Sequence, residues 1–142
     1  MVSLAVEQMW WNELGSAMVI TSYDSATGVF GGKYYSKVGE AENWYVLTGR
    51  NDTAGTTLGW TVNWKNSSHN AHSVTTWSGQ FQFPPDGKPA LTTTWLLTAQ
   101  TNPEDNWEST MVGFDRFYLT EPPYEIKERA KLHCRRSHPE EA

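Results

Sequence analysis

The sequence predicts an all-β fold: an eight-stranded antiparallel up-and-down barrel followed by a short C-terminal tail. Three observations carry that prediction. Strand-like runs recur roughly every 10–15 residues with turn residues between them. Eight Trp, six Tyr and five Phe accompany only 19% charged residues, a mixture that favours strands and turns over helices. Within the runs, tryptophans recur at the period of two that sends alternate side chains to one face of a strand. Short links between successive strands suit closure into a barrel, which leaves no exposed sheet edge.

The elements follow in order. Residues 9–14 (MWWNEL) and 16–22 (SAMVITS) form a first hairpin about Gly15, with Trp10, Asn12, Leu14 and Ser16 on one side. The turn residues Asp24 to Gly28 lead into 28–36 (GVFGGKYYS), where Tyr34, Ser36 and Val38 share a side. A fourth strand covers 44–51 (WYVLTGRN), and Asp52 to Gly55 punctuate the passage to a fifth at 57–65 (TLGWTVNWK). There Trp60, Val62 and Trp64 alternate onto one face. A polar loop of Asn, Ser and His joins this strand to 71–82, where Ser73, Thr75 and Trp77 share a face. Pro84-Pro85-Asp86-Gly87 precede 91–99, with Thr93, Trp95, Leu97 and Ala99 aligned. After Asn102-Pro103-Glu104-Asp105, the last strand at 109–119 aligns Met111, Gly113, Asp115 and Phe117.

The character changes beyond Tyr118, dividing the chain into a barrel domain at 1–120 and a tail at 121–142. Pro122-Pro123 followed by YEIKERAKLHCRR predicts two or three helical turns. Five of the eleven Lys and Arg residues fall in 127–136, and a charge run of this kind reads as a solvated tail. Cys134, the single cysteine, excludes an intramolecular disulfide and reads as an inert or exposed thiol.

The net charge of −5 argues against nucleic acid or an anionic membrane as partner. No apolar run approaches the roughly 20 residues of a membrane span. The opening MVSLAVEQ lacks a basic start and a long apolar centre. On its face the chain is therefore cytoplasmic, and secreted if a leader has been removed.

Counting faces brings Asn12, Ser16, Tyr34, Ser36, Ser73, Thr75 and Asp115 to the interior beside Trp64, Trp77 and Trp95. An unpaired buried hydroxyl costs about 1–3 kcal/mol, so such a set needs internal partners or a ligand. The physical reading is a box with aromatic walls and a hydrogen-bonding end, suited to a compact ligand with a polar head and an apolar body. On the opposite face, Val74, Leu96, Val112 and Phe114 point outward. Apolar residues on both faces of a strand call for cover on both, and a second copy of the chain supplies it in a closed homo-oligomer.

The stretches ELGSAM, KYYSKVGEAE, YVLTGR, LGWTVNWKN, NAHSVTTWSGQ, TTWLLT and WESTMVGFDRF resemble, in order over residues 9–119, the avidin/streptavidin family of biotin-binding proteins. The tail, with KLHC, is most similar to the fungal members called tamavidins. Streptavidin is itself a standard example of an eight-stranded barrel that holds one small ligand. The resemblance implies a homotetramer that binds biotin and biotinylated molecules, with biotin a bound ligand and no cofactor. It further implies that Asn12, Ser16 and Tyr34 donate to the ureido oxygen, and that Asp115 and Ser36 accept from the ureido N–H groups. By the same resemblance Thr75 lies by the ring sulfur, Trp64, Trp77 and Trp95 wall the ligand with Leu14, Val38 and Leu97, and Ser73 binds the carboxylate. Trp107 would then reach into a neighbouring subunit's pocket. Glu40 stands where streptavidin carries an asparagine near the carboxylate, and acts there through its backbone N–H. Ala99 replaces a serine-like residue at the pocket mouth.

Other readings are open to the residues alone. Glu104, Asp105, Glu108 and Asp115 supply carboxylates for sugar hydrolysis, although no nucleophile–base pair accompanies them and no residue is assigned as catalytic. Tryptophan faces also suit a sugar-binding module. His69 and His72 lack a partner to complete a metal set, and no metal site is assigned.

Overall fold

The computed structural model describes residues 4–35, 44–85, 87–133 and 135–139. It forms a closed antiparallel barrel in which each strand pairs with the next. The strands are β1 (Met9–Trp11), β2 (Ala17–Tyr23), β3 (Val29–Tyr35), β4 (Trp44–Asn51), β5 (Thr57–Lys65), β6 (Asn70–Gln82), β7 (Ala90–Ala99) and β8 (Thr110–Tyr118). Pairing of Trp11 with Tyr118 joins β1 to β8 and closes the wall. A short 3-10 segment, Pro103–Glu108, lies between β7 and β8, and a helix α1 (Tyr124–His133) follows the barrel.

The fold class and the strand order agree with the sequence reading, with one shortened element. β1 ends at Trp11 rather than at residue 14. Asn12 causes the early stop: its Oδ1 accepts from the backbone N–H groups of Leu14 (3.1 Å) and Ser16 (2.9 Å). A short polar side chain that bonds its own backbone draws the chain into a turn instead of a ladder. Gly15, at φ 87°, takes the left-handed conformation that the turn requires.

Register decides what faces inward. Trp60 lies opposite Trp77 across β5 and β6, and Trp77 lies opposite Trp95 across β6 and β7. Thr93 lies opposite Asp115 across β7 and β8. The deep end of the barrel is filled with aromatic rings. Trp60 stacks on Trp77 at 5.2 Å, Phe117 meets Trp60 edge-on at 5.5 Å, and Trp10 packs on Phe81 at 5.6 Å. Such pairs contribute about 0.5–1.5 kcal/mol each beyond the area they bury. Gly113 sits opposite Trp95, and a Cβ there would fall 2.2 Å from the Trp95 ring. The bare backbone is what lets that indole lie flat across β8.

Leu96, Val112 and Phe114 face outward and are exposed, Phe114 at 74%; Val74 on the same face is half-buried. Met111, expected inside, is 42% exposed. It stands next to the first residue of β8, at the rim where no opposite wall covers it.

The tail departs from expectation. Helix α1 forms; its Lys127 pairs with Glu121 ahead of the helix (2.6 Å), and Lys131 pairs with Glu128 within it (2.8 Å). Beyond it Arg135 is exposed, but Ser137 and His138 are buried, at 0% and 3% exposure. A charge run predicts solvation for the charged residues alone, and these are neither. Cys134 lies outside the described residues. Among the described residues no helix is long and apolar enough to cross a membrane.

Candidate functional site

Inside the mouth of the barrel a cup is built from residues on five strands and one turn. The β1–β2 turn supplies Asn12, Leu14 and Ser16; β3 supplies Tyr34; β5 supplies Trp64; β6 supplies Ser73, Thr75 and Trp77; β7 supplies Trp95 and Leu97; β8 supplies Asp115. All of them are buried. Ser36, Val38 and Glu40 lie outside the described residues. Trp107, on the 3-10 segment, is 78% exposed and takes no part in the cup of its own chain.

The walls are aromatic. Tyr34 packs on Trp77 at 5.0 Å and meets Trp64 edge-on at 5.7 Å, while Tyr45 closes the other side of Trp64 at 5.0 Å. The polar groups are held by indoles. Trp64 Nε1 donates to Thr75 Oγ1 at 2.8 Å, and Trp77 Nε1 donates to Asp115 Oδ2 at 2.9 Å. The Asn12 amide and the Trp95 indole turn N–H groups toward the same carboxylate and favour its charged form, without reaching full hydrogen-bond geometry.

Burial sets the electrostatics. It raises the Asp115 carboxyl above its ordinary range, against the opposing pull of donors from Trp77, Ser137, Asn12 and Trp95. The Tyr34 phenol is pushed well up by burial first and by the Asp115 charge second, while hydrogen bonds with Ser137 and Ser16 oppose the rise. Burial thus works against the charged form of both groups, and the donors around Asp115 work for it.

Several buried polar atoms have no partner. Asn12 Nδ2, Ser73 Oγ and Trp95 Nε1 belong to the cup; Tyr45 Oη and Trp60 Nε1 lie around it. Buried polar groups are nearly always satisfied, so under-satisfied groups gathered on one side of the barrel interior mark a place where something else can bond.

The sequence reading missed Glu13, Ser137 and His138. Glu13 follows Asn12 in the turn; its Oε1 accepts from the Arg116 N–H at 2.9 Å. Its carboxyl is raised to about 7, mainly by burial and also by the Asp115 charge. A strand drawn through 9–14 would have sent Glu13 to solvent, which hid it. Ser137 enters the cup itself: Thr75 Oγ1 donates to its carbonyl at 2.6 Å, and its Oγ lies 3.5 Å from the Tyr34 hydroxyl. His138 presents its ring to Trp64 at 6.1 Å. No periodic signal precedes these residues, and only the three-dimensional path reveals them.

The carboxylates considered for sugar hydrolysis are not gathered. Glu104, Asp105 and Glu108 lie on the 3-10 segment, with Glu104 and Glu108 exposed, whereas Asp115 is buried within the barrel.

The family model described as the Avidin family matches residues 2–120. The chain belongs to the avidin family. Avidin from Gallus gallus is 36% identical over 116 residues, covering 76% of this chain and 73% of the relative. Avidin-related protein 4/5 from the same organism is 32% identical over 114 residues, with 76% and 73% covered. Avidin-related protein 3, also from Gallus gallus, is 32% identical over 114 residues. The avidin-family match contains every residue of the cup that comes from the strands and the turn. It stops short of Ser137 and His138.

Proposed function

We propose that the cup binds biotin non-covalently, with high affinity and without catalysing a reaction, and that residues 1–120 are the biotin-binding unit. The observation that carries this reading is the set of orphaned donors, Asn12 Nδ2, Ser73 Oγ and Trp95 Nε1, around an aromatic cup in an avidin-family barrel. A ureido group offers one strong acceptor and N–H donors in a plane, matching hydroxyl and amide donors on one side and a carboxylate on the other.

In this reading Asn12, Ser16 and Tyr34 donate to the ureido oxygen, while Asp115 and Ser36 accept from its N–H groups. Thr75 lies by the ring sulfur. Trp64, Trp77 and Trp95, with Leu14, Val38 and Leu97, enclose the apolar body, and Ser73 and the backbone of Glu40 hold the carboxylate. Trp107 crosses to a neighbouring subunit, so the working form is a homotetramer. The exposed Leu96, Val112 and Phe114 support burial of that face against another copy. Sequestration of the vitamin, a defence-type role, is the physiological purpose we assign.

Retention of the purified chain on biotin–agarose, with release by free biotin, tests the reading. Passage through that matrix together with retention on a polysaccharide resin would replace it with sugar binding.

A further inference from the structure

Ser137 and His138 stand where the proposed ligand would stand. Thr75 accepts a hydrogen bond from Trp64 and donates its own proton to the Ser137 carbonyl at 2.6 Å, so the direction of that bond is fixed. The Ser137 side chain reaches the Tyr34 hydroxyl at 3.5 Å and lies where it favours the charged form of the Asp115 carboxylate. Tyr34 and Thr75, groups assigned above to biotin, are engaged by Ser137, so strap and ligand compete for the same atoms.

We propose that the segment 135–139 is an intramolecular ligand of the cup, an autoinhibitory strap that biotin must displace; this rests on the biotin reading. The strap is an imperfect occupant. With Ser137 seated, Asn12 Nδ2, Ser73 Oγ and Trp95 Nε1 still lack partners, each a penalty that a better-matched ligand removes. Ser137 thus meets some of the cup's bonding groups and leaves others open. The strap therefore exchanges: it shields polar groups in the empty protein and leaves when a fuller set of bonds is offered. Tethering gives it a high effective concentration at no cost in intrinsic affinity. Apparent biotin affinity falls by the fraction of molecules with the cup open, a roughly tenfold reduction if about one molecule in ten is open.

Stopped-flow association of biotin with the full chain and with the full-length Ser137→Glu variant tests this. The added carboxylate is too large, and too costly to desolvate, for a fully buried serine site. In the wild type the observed rate should level off as biotin rises, because strap departure becomes limiting. In Ser137→Glu it should rise linearly past the wild-type plateau without levelling off. Hydrogen exchange on the intact wild type should show protected amides at Ser137 and His138 that lose protection when biotin binds. Linear wild-type kinetics equal to those of the variant, or unprotected amides at these residues in the free protein, would overturn the strap. If neither protein binds biotin, the biotin reading fails and the strap is judged without ligand. Loss of protection and greater acrylamide quenching of tryptophan in Ser137→Glu support it, and identical behaviour of the two proteins overturns it.

Discussion

Trp77 and Asp115, on strands separated by β7, are joined through the interior of the barrel by a 2.9 Å hydrogen bond from indole to carboxylate. The bond crosses the cup instead of following the wall. It fixes the Asp115 carboxylate at the N–H edge of the indole that packs on Tyr34, so wall and polar head are one unit.

Asp115→Ala should weaken biotin binding by about 1.5–3 kcal/mol, the usual worth of a hydrogen bond to a charged group. The change also strands the Trp77 N–H. Titration calorimetry checks this, and a dissociation constant equal to that of the wild type would remove Asp115 from its assigned role.

Trp107→Lys should lower affinity and loosen the assembly together. The residue is 78% exposed in the single chain, so the change leaves the fold of one barrel intact. Native mass spectrometry with and without biotin reads both effects. An intact tetramer of full affinity would mean that Trp107 does not cross between subunits.

Glu13 makes stability fall as pH rises. Its carboxyl goes from the ordinary 4.5 to about 7 in the folded chain, so between these values the native state holds a proton that the unfolded state has lost. The stabilisation is fully present below pH 4.5 and disappears as pH climbs through about 7. Asp115 and Arg116 face this carboxyl, and Asp115, also raised, adds a trend of the same sign. Melting temperatures of wild type and Glu13→Gln from pH 5 to pH 8 should converge at the acidic end, with the variant losing less as pH rises. Parallel curves would contradict the assignment.

Gly113→Ala should destabilise the barrel by about 1–3 kcal/mol, the range for overpacking a tight interior. The new methyl would meet the Trp95 ring at 2.2 Å and tilt an indole that walls the cup. Urea denaturation measures the first effect and biotin affinity the second. A variant as stable as wild type would show that Trp95 has room to move.

The strands and their inward faces were legible because the period of two survives wherever a ladder persists. Trp60, Val62 and Trp64 fall inside, as do Ser73, Thr75 and Trp77, on nothing more than their spacing. The rule stops where the ladder stops. At Asn12 a side-chain bond to the backbone ends β1 early, and Glu13 turns toward Arg116. At Met111 the strand is regular but the rim leaves it uncovered. The strap is a different case: Ser137 meets Tyr34 across 103 positions of sequence, and a three-residue Ser-His-Pro run carries no periodicity by which to place it. The avidin-like motifs make the cup recognisable, and they end before the residues that fill it.

Burial of Ser137 and His138 has a practical consequence for anyone preparing this protein. A bulky label fixed to the chain within a few residues of His138 would tug the segment outward or crowd the entrance. A handle at the amino terminus leaves that door as the molecule sets it.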